Sequence, residues 1–279
     1  MASELQIQTK RGFDMSTKSK YKGGTFCWVD LATPDLASAK DFYRRVFGWD
    51  FKDDPVKING TYSTAYYKEK KAGGVFEMSA LKKREKFPPQ WKSYITVDDI
   101  EESVEKVKAS GGRITVLPFD VMEYGRMATV VDHEGASLSL WEPRRHFGAE
   151  IVNEANTYCW NELISWDVEA ARKFYREVFG WTFEADPTSR NYIMIHNGDE
   201  VIGGILDAKT SRLPKSIGAA WSVYFAVDNL EEAMRRVEAA GGHVEVEPMD
   251  VNVGRFTVVT DPSGAVFDAI EFKAEAQVA

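Results

Sequence analysis

Residues 25–32 alternate β-branched, aromatic and polar side chains, the period-two pattern of a half-buried strand. The period then changes. Leu36, Ala39, Phe42, Tyr43 and Val46 recur at helical spacing. Asp35 stands where an N-cap belongs, and Gly48 fits the left-handed stop after the last turn. Trp49 opens the next strand. The whole run returns 132 positions later: Trp28 becomes Trp160, Asp35 Asp167, Tyr43 Tyr175, Gly48 Gly180 and Trp49 Trp181. A constant offset across so many large side chains marks a duplication.

Further along, 61–70 and 72–80 read as strands, with Gly73-Gly74 marking a bulge or a close approach. Residues 81–90 read as a polar, proline-containing loop. A strand follows from Trp91 to Val97. Asp98 is then the expected cap of a helix carrying Ile100, Val104 and Val107, stopped by Gly111-Gly112. Strands are expected at 113–119, 125–131 and 136–142, with Asp132 to Gly135 as a tight turn. Each half is thus double. Residues 24–80 and 91–142 are two βαβββ units, and 157–209 and 221–272 repeat them.

One helix covers one face of such a sheet, and the other face curls round a hollow. The expected fold is therefore α+β: four βαβββ units paired into two half-barrel domains, with helices outside. The expected domains are 24–143 and 157–273. A linker takes 144–156, and flexible tails take 1–23 and 274–279. The shortness of the 81–90 loop favours pairing of units within each half.

Length and charge narrow the partners. A chain of 279 residues suits two domains. A net charge of −8 argues against nucleic acid and anionic membrane, both of which select a basic face. The run Lys82-Lys83-Arg84 is followed by Glu85 and Pro88-Pro89 and reads as a solvated loop. The two cysteines, Cys27 and Cys159, occupy equivalent repeat positions and form no disulfide framework. Each is expected to be a buried thiol on the helix side of its strand. Residues 1–23 are polar, without the apolar core of a secretion signal, so a reducing cytoplasm is expected. A monomer or a homodimer fits these properties.

The paired βαβββ units carry a strand–Asp–helix opening with Phe-Tyr and Phe-Gly-Trp. A Val-Asp-Asp helix start and a Gly-Arg strand leading to Asp-Pro-x-Gly follow. Over residues 24–272 this resembles the vicinal oxygen chelate superfamily, which includes glyoxalase I, extradiol dioxygenases and bleomycin-binding proteins. The Trp-Val-Asp-Leu and Trp-Asn-Glu-Leu openings are most similar to actinobacterial two-domain glyoxalase-like proteins of the mycobacterial 27 kDa antigen type.

That resemblance implies a divalent metal held by histidines of the first strands and a glutamate of the last. Here those seats carry Trp28, Lys92 and Ser139 in one half and Trp160, Ser222 and Asp268 in the other. Glu77 or Asp207 is a possible fourth position. His133, His146, His196 and His243 fall in turns, linker or strand ends. So few carboxylates without an imidazole are a poor transition-metal set. No metal and no cofactor is expected.

Strand periodicity groups what remains on the hollow's face. Trp28 lies with Asp30, Lys92 with Tyr94, and Ser139 with Trp141. In the second half Trp160 lies with Glu162, Ser222 with Tyr224, and Asp268 with its neighbours in the last strand. Aromatic walls with a few polar groups suit a small molecule. A carboxylate beside a tryptophan in such a hollow has its pKa raised, which suits a general base. Asp30 and Glu162 are the candidate bases and Lys92 the candidate oxyanion partner. The tryptophans, Tyr94, Ser139, Trp141, Ser222, Tyr224 and Asp268 are candidate ligand contacts. Two functions stay open: a metal-independent isomerase or lyase acting beside a carbonyl, and a non-catalytic binder of a planar drug or metabolite. A scaffold acting only through oligomer contacts is a third.

Overall fold

The computed structural model describes residues 17–56 and 60–273. Of the tails expected at 1–23 and 274–279, residues 1–16 and 274–279 lie outside the described residues; residues 17–23 lie along the linker, where the Tyr21 hydroxyl donates to Ala149 O at 2.9 Å. In chain order the first half contains β1 (Phe26–Thr33), α1 (Leu36–Phe47), β2 (Asp50–Val56), β3 (Gly60–Tyr67), β4 (Lys70–Glu77) and α2 (Ala80–Arg84). It continues with β5 (Gln90–Thr96), α3 (Ile100–Ala109), β6 (Arg113–Val121), β7 (Gly125–Val131) and β8 (Ser137–Pro143). The second half opens with β9 (Tyr158–Ser165), α4 (Val168–Phe179), β10 (Thr182–Ala185), β11 (Tyr192–Asn197) and β12 (Glu200–Asp207). It closes with β13 (Ala220–Ala226), α5 (Leu230–Ala239), β14 (His243–Val251), β15 (Gly254–Thr260) and β16 (Val266–Phe272).

Local chemistry places the helices. The Asp35 carboxylate accepts from Ser38 N at 3.0 Å, and Asp167 from Ala170 N at 3.2 Å, each closing the first turn. Gly48 and Gly180 stop the helices at φ 71° and 73°. Asp99 rather than Asp98 caps α3, accepting from Glu102 N at 2.9 Å. A cap must reach the amide three residues on, and the buried apolar stripe begins at Ile100. The loop expected at 81–90 contains the short helix α2, capped by Ser79.

Each half is one eight-stranded sheet. The orders are β2-β3-β4-β1-β5-β8-β7-β6 and β10-β11-β12-β9-β13-β16-β15-β14. The two units of a half meet at the antiparallel pairs β1–β5 and β9–β13, flanked by parallel neighbours. Units therefore pair within a half, as the short connection implies. No described helix is long and apolar enough to cross a membrane.

The helices α1, α3, α4 and α5 stand outside each hollow and pack between the two sheets. α1 lies against α5 and α3 against α4. Phe47 of α1 meets Phe225 of β13 at 5.0 Å between ring centroids, and Phe26 of β1 meets Trp221 at 5.1 Å. One continuous core results.

Polar chains lock this interface reciprocally. Trp91 Nε1 donates to the Tyr43 hydroxyl at 2.9 Å, which donates to Asp261 in the β15–β16 turn at 3.3 Å. Trp221 Nε1 donates to Tyr175 at 2.9 Å, which donates to Asp132 in the β7–β8 turn at 2.9 Å. Removing either hydroxyl strands a buried indole N–H and takes a donor from a buried carboxylate. Tyr175→Phe is expected to cost about 2–3 kcal/mol and Tyr43→Phe, with its longer bond, about 1–2. Urea unfolding of the two variants checks the order.

Candidate functional site

Leu31 pairs across β1–β5 with Trp91, which touches α1 through Tyr43. Strand alternation therefore sends Trp28 and Asp30 to the face away from the helices. There the first half is closed by its own side chains. Trp28 Nε1 donates to the Tyr62 hydroxyl at 2.9 Å, and the Tyr94 hydroxyl donates to Asp30 at 2.7 Å. Lys92 Nζ donates to Ser137 at 3.2 Å, and Ser139 meets Thr129 at 3.4 Å. Trp141 Nε1 donates to His146 O at 2.7 Å. The His146 ring stands edge-on to Trp28, 4.6 Å between centroids. Trp28 is only 4% exposed and Asp30 3%. In this half the indole fills the hollow.

Burial dominates the electrostatics. It pushes the Asp30 carboxyl up to about 7, against the Tyr94 hydrogen bond and the charges of Lys92 and Lys82. Burial also lowers Lys92, which Asp30 partly opposes. His146 is pushed down to about 4 by burial, with Lys71 adding to the effect.

The second half repeats the frame with different chemistry. Trp160, here half-buried, donates from Nε1 to the Tyr192 hydroxyl at 2.9 Å. Burial raises Glu162 to about 7, opposed by hydrogen bonds from Tyr192 and Tyr224. Ser222, in the seat of Lys92, donates to Asp268, in the seat of Ser139. Asp268 is held well above the usual carboxylate range by burial and by the nearby Glu162 charge.

The eleven candidate residues thus lie on three adjacent strands of each half, β1-β5-β8 and β9-β13-β16. Arg126 binds Glu101, Asp120 and Glu142. Sequence reasoning missed Tyr62, Tyr192 and His146. A signal for the tyrosines existed: Gly74 was marked as a close approach, and a Cβ there would lie 2.0 Å from the Tyr62 hydroxyl. At Gly204 it would lie 2.1 Å from that of Tyr192.

Cys159 departs from its expected side. It is the extra residue where Tyr224 faces Trp160 and Phe225 faces Tyr158. This bulge packs it with Tyr224 and Ile270, on the side of Trp160. Cys27 is buried as expected.

A metal of the kind the fold implies finds no matching donors. Glu77 is paired with Lys83, and Asp207 accepts from Lys209 N at 2.9 Å. Among the described residues no three His, Cys, Asp or Glu side chains converge on one point. The donor set around Trp28 and Trp160 does not fit a bound transition metal.

The model of the Glyoxalase/Bleomycin resistance protein/Dioxygenase superfamily matches residues 25–140 and again 162–268. The chain belongs to this superfamily. It is 38% identical over 261 residues to CFP32 of Mycobacterium tuberculosis, a protein described provisionally as a glyoxylase, covering 92% of this chain and 98% of the relative. It is 29% identical to DnrV of Streptomyces peucetius, an anthracycline biosynthesis protein, over 91% and 96% of the two chains. Among solved structures, the Mn(II)-bound glyoxalase of Novosphingobium aromaticivorans superposes with a TM-score of 0.61 at 14% identity, covering 90% of this chain and 82% of that one. The 2,3-dioxygenase LapB of Pseudomonas sp. KL28 gives 0.59 at 15%, covering 92% and 93%. Such distant structures share the glyoxalase-superfamily fold and no more.

Proposed function

We propose that this glyoxalase-like protein acts on a small carbonyl-bearing or aromatic metabolite as a metal-independent isomerase or lyase. A hollow-facing carboxylate, Asp30 or Glu162, removes a proton beside the carbonyl. One observation carries the reading: each half buries a carboxylate against tyrosine hydroxyls beside a tryptophan, with its pKa lifted to about 7. A base tuned near the working pH combines basicity with availability. In the first half Lys92, and in the second the Tyr192 and Tyr224 hydroxyls, are placed to steady negative charge on the substrate oxygen. Both hollows are well covered, so substrate entry requires a covering side chain to move, and the half-buried Trp160 is the less enclosed of the two tryptophans.

Turnover is expected to survive EDTA. It should rise with pH up to about 7, because the base must be ionised. Glu162→Gln or Asp30→Asn, whichever half reacts, is expected to lower kcat on the order of 10²- to 10⁴-fold. Activity lost in EDTA and restored by one divalent metal sinks the reading.

A second reading is sequestration of a planar aromatic molecule. It is favoured by the indole and phenol surfaces and by the relatives associated with anthracycline biosynthesis. Stoichiometric quenching of Trp160 fluorescence by such a molecule, with no product formed, would select it.

A further inference from the structure

The two hollows differ in the number of buried carboxyls they hold. In the first, Asp30 faces cations: Lys92 and Lys82 both act on it. Ser139 offers no acid, and His146 of the linker closes over Trp28. The second has two carboxyls. Glu162 on β9 is register partner of Ser222 on β13, and Asp268 on β16 is register partner of Tyr224 on β13. The carboxyls therefore flank β13 from strands about 10 Å apart, two strand spacings. Each is bound to a different hydroxyl of that strand: Glu162 to Tyr224, Asp268 to Ser222.

We propose that the second lobe is the reacting one and that Asp268 and Glu162 divide the proton transfer between them, Asp268 as donor to the substrate oxygen and Glu162 as acceptor from the neighbouring carbon. This rests on the base mechanism above and assigns its lobe and its acid. In the forward step the Glu162 carboxylate takes the proton of the C–H bond. That bond's electron pair becomes the C=C bond, and the carbonyl π pair moves to oxygen. The oxygen takes the proton of the Asp268 carboxyl, leaving a neutral enol, Glu162 protonated and Asp268 ionised. Collapse returns the enol proton to Asp268, and Glu162 delivers its proton to carbon. No further reagent is consumed. Two buried carboxyls that interact do not both ionise readily, which keeps the donor protonated while the acceptor is charged.

The test is deuterium exchange into hydroxyacetone, an α-hydroxyketone, followed by proton NMR with the full chain in D₂O. The wild-type chain is expected to exchange the carbon-bound protons well above the buffer rate, with a bell-shaped pH profile. Glu162→Gln and Asp268→Asn are each expected to lower the rate on the order of 100-fold. Asp268→Asn should also lose the falling alkaline limb while keeping the rising one, a change that general misfolding does not produce. Exchange that persists in the Glu162→Gln, Asp268→Asn chain and disappears in Asp30→Asn overturns the lobe assignment and leaves the base mechanism standing. No exchange by the wild-type chain overturns both.

Discussion

Gly74→Ala will unseat Tyr62 and destabilise the protein by about 2–4 kcal/mol, the sum expected for overpacking and for one lost buried hydrogen bond. The new Cβ would lie 2.0 Å from the Tyr62 hydroxyl and 2.5 Å from Cζ. Tyr62 has little freedom to retreat. Its hydroxyl holds Trp28 Nε1, and its ring stacks on Phe76 with planes 11° apart. Displacing it leaves the Trp28 N–H buried without that acceptor. Gly204→Ala should behave alike at Tyr192, where the Cβ meets the hydroxyl at 2.1 Å and Cζ at 2.3 Å. Gly218→Ala is the control: nothing lies within 4 Å of its Cβ. Urea midpoints give the stabilities. A red shift of Trp28 emission in Gly74→Ala alone would show that the ring has moved. An unchanged midpoint would mean that the tyrosine is not wedged over the glycine.

The double variant Asp30→Asn, Glu162→Gln is expected to be more stable than the wild type in alkali. Both carboxyls have folded-state values near 7, against model values of 3.8 and 4.5. Between about pH 4 and 7 the folded chain therefore binds more protons than the unfolded one, and stability falls as pH rises. Each group contributes stability that is fully present in acid and lost once pH passes about 7. The loss is on the order of 4 kcal/mol for Asp30 and about 3 kcal/mol for Glu162, at 1.36 kcal/mol for each pH unit between the unfolded and folded values. Asn and Gln keep an acceptor for Tyr94 and for Tyr192 or Tyr224 without taking a charge, so they lack this loss. His146 works in the opposite sense. Its folded value near 4 makes stability rise with pH between about 4 and 6.5, offsetting part of one carboxylate. It is present in both proteins and cancels in their difference. Thermal melts at pH 4 and pH 9 should show the two proteins differing little in acid and widely in alkali.

The local grammar of this fold was open to reading. The period change at Leu36, the aspartates at 35 and 167 and the glycines at 48 and 180 fixed α1 and α4, because capping and left-handed stops act within a few residues. The alternation that put Trp28 with Asp30 and Ser222 with Tyr224 needed only strand geometry. What escaped depends on contacts between distant segments. The Gly73-Gly74 pair announced a close approach, but Tyr62 as the approaching group follows from the β3–β4 register. His146 sits in a linker without periodicity, so nothing local aimed its ring at Trp28. Cys159 was sent to the wrong side because one bulge residue reverses the alternation. Apolar stripes showed which helix faces are covered but not that α1 and α5 cover each other across the halves.

At the site, the residues absent from the metal positions said more than any motif present. Indole, amine and hydroxyl replace the donors a divalent ion needs, and the remaining acids are those burial makes basic. The fold supplies a covered hollow, and the proposed function rests on these buried carboxyls in place of an ion.

The most direct measurement is the titration of individual carboxyl carbons by NMR in chain labelled with ¹³C at Asp and Glu, assigned through Asp30→Asn, Glu162→Gln and Asp268→Asn, with and without EDTA. Resonances of Asp30 and Glu162 moving with midpoints near 7, and unchanged by the chelator, are the predicted result. Midpoints in the ordinary carboxylate range, or Glu162 and Asp268 signals that shift when a stoichiometric metal is stripped away, would contradict it.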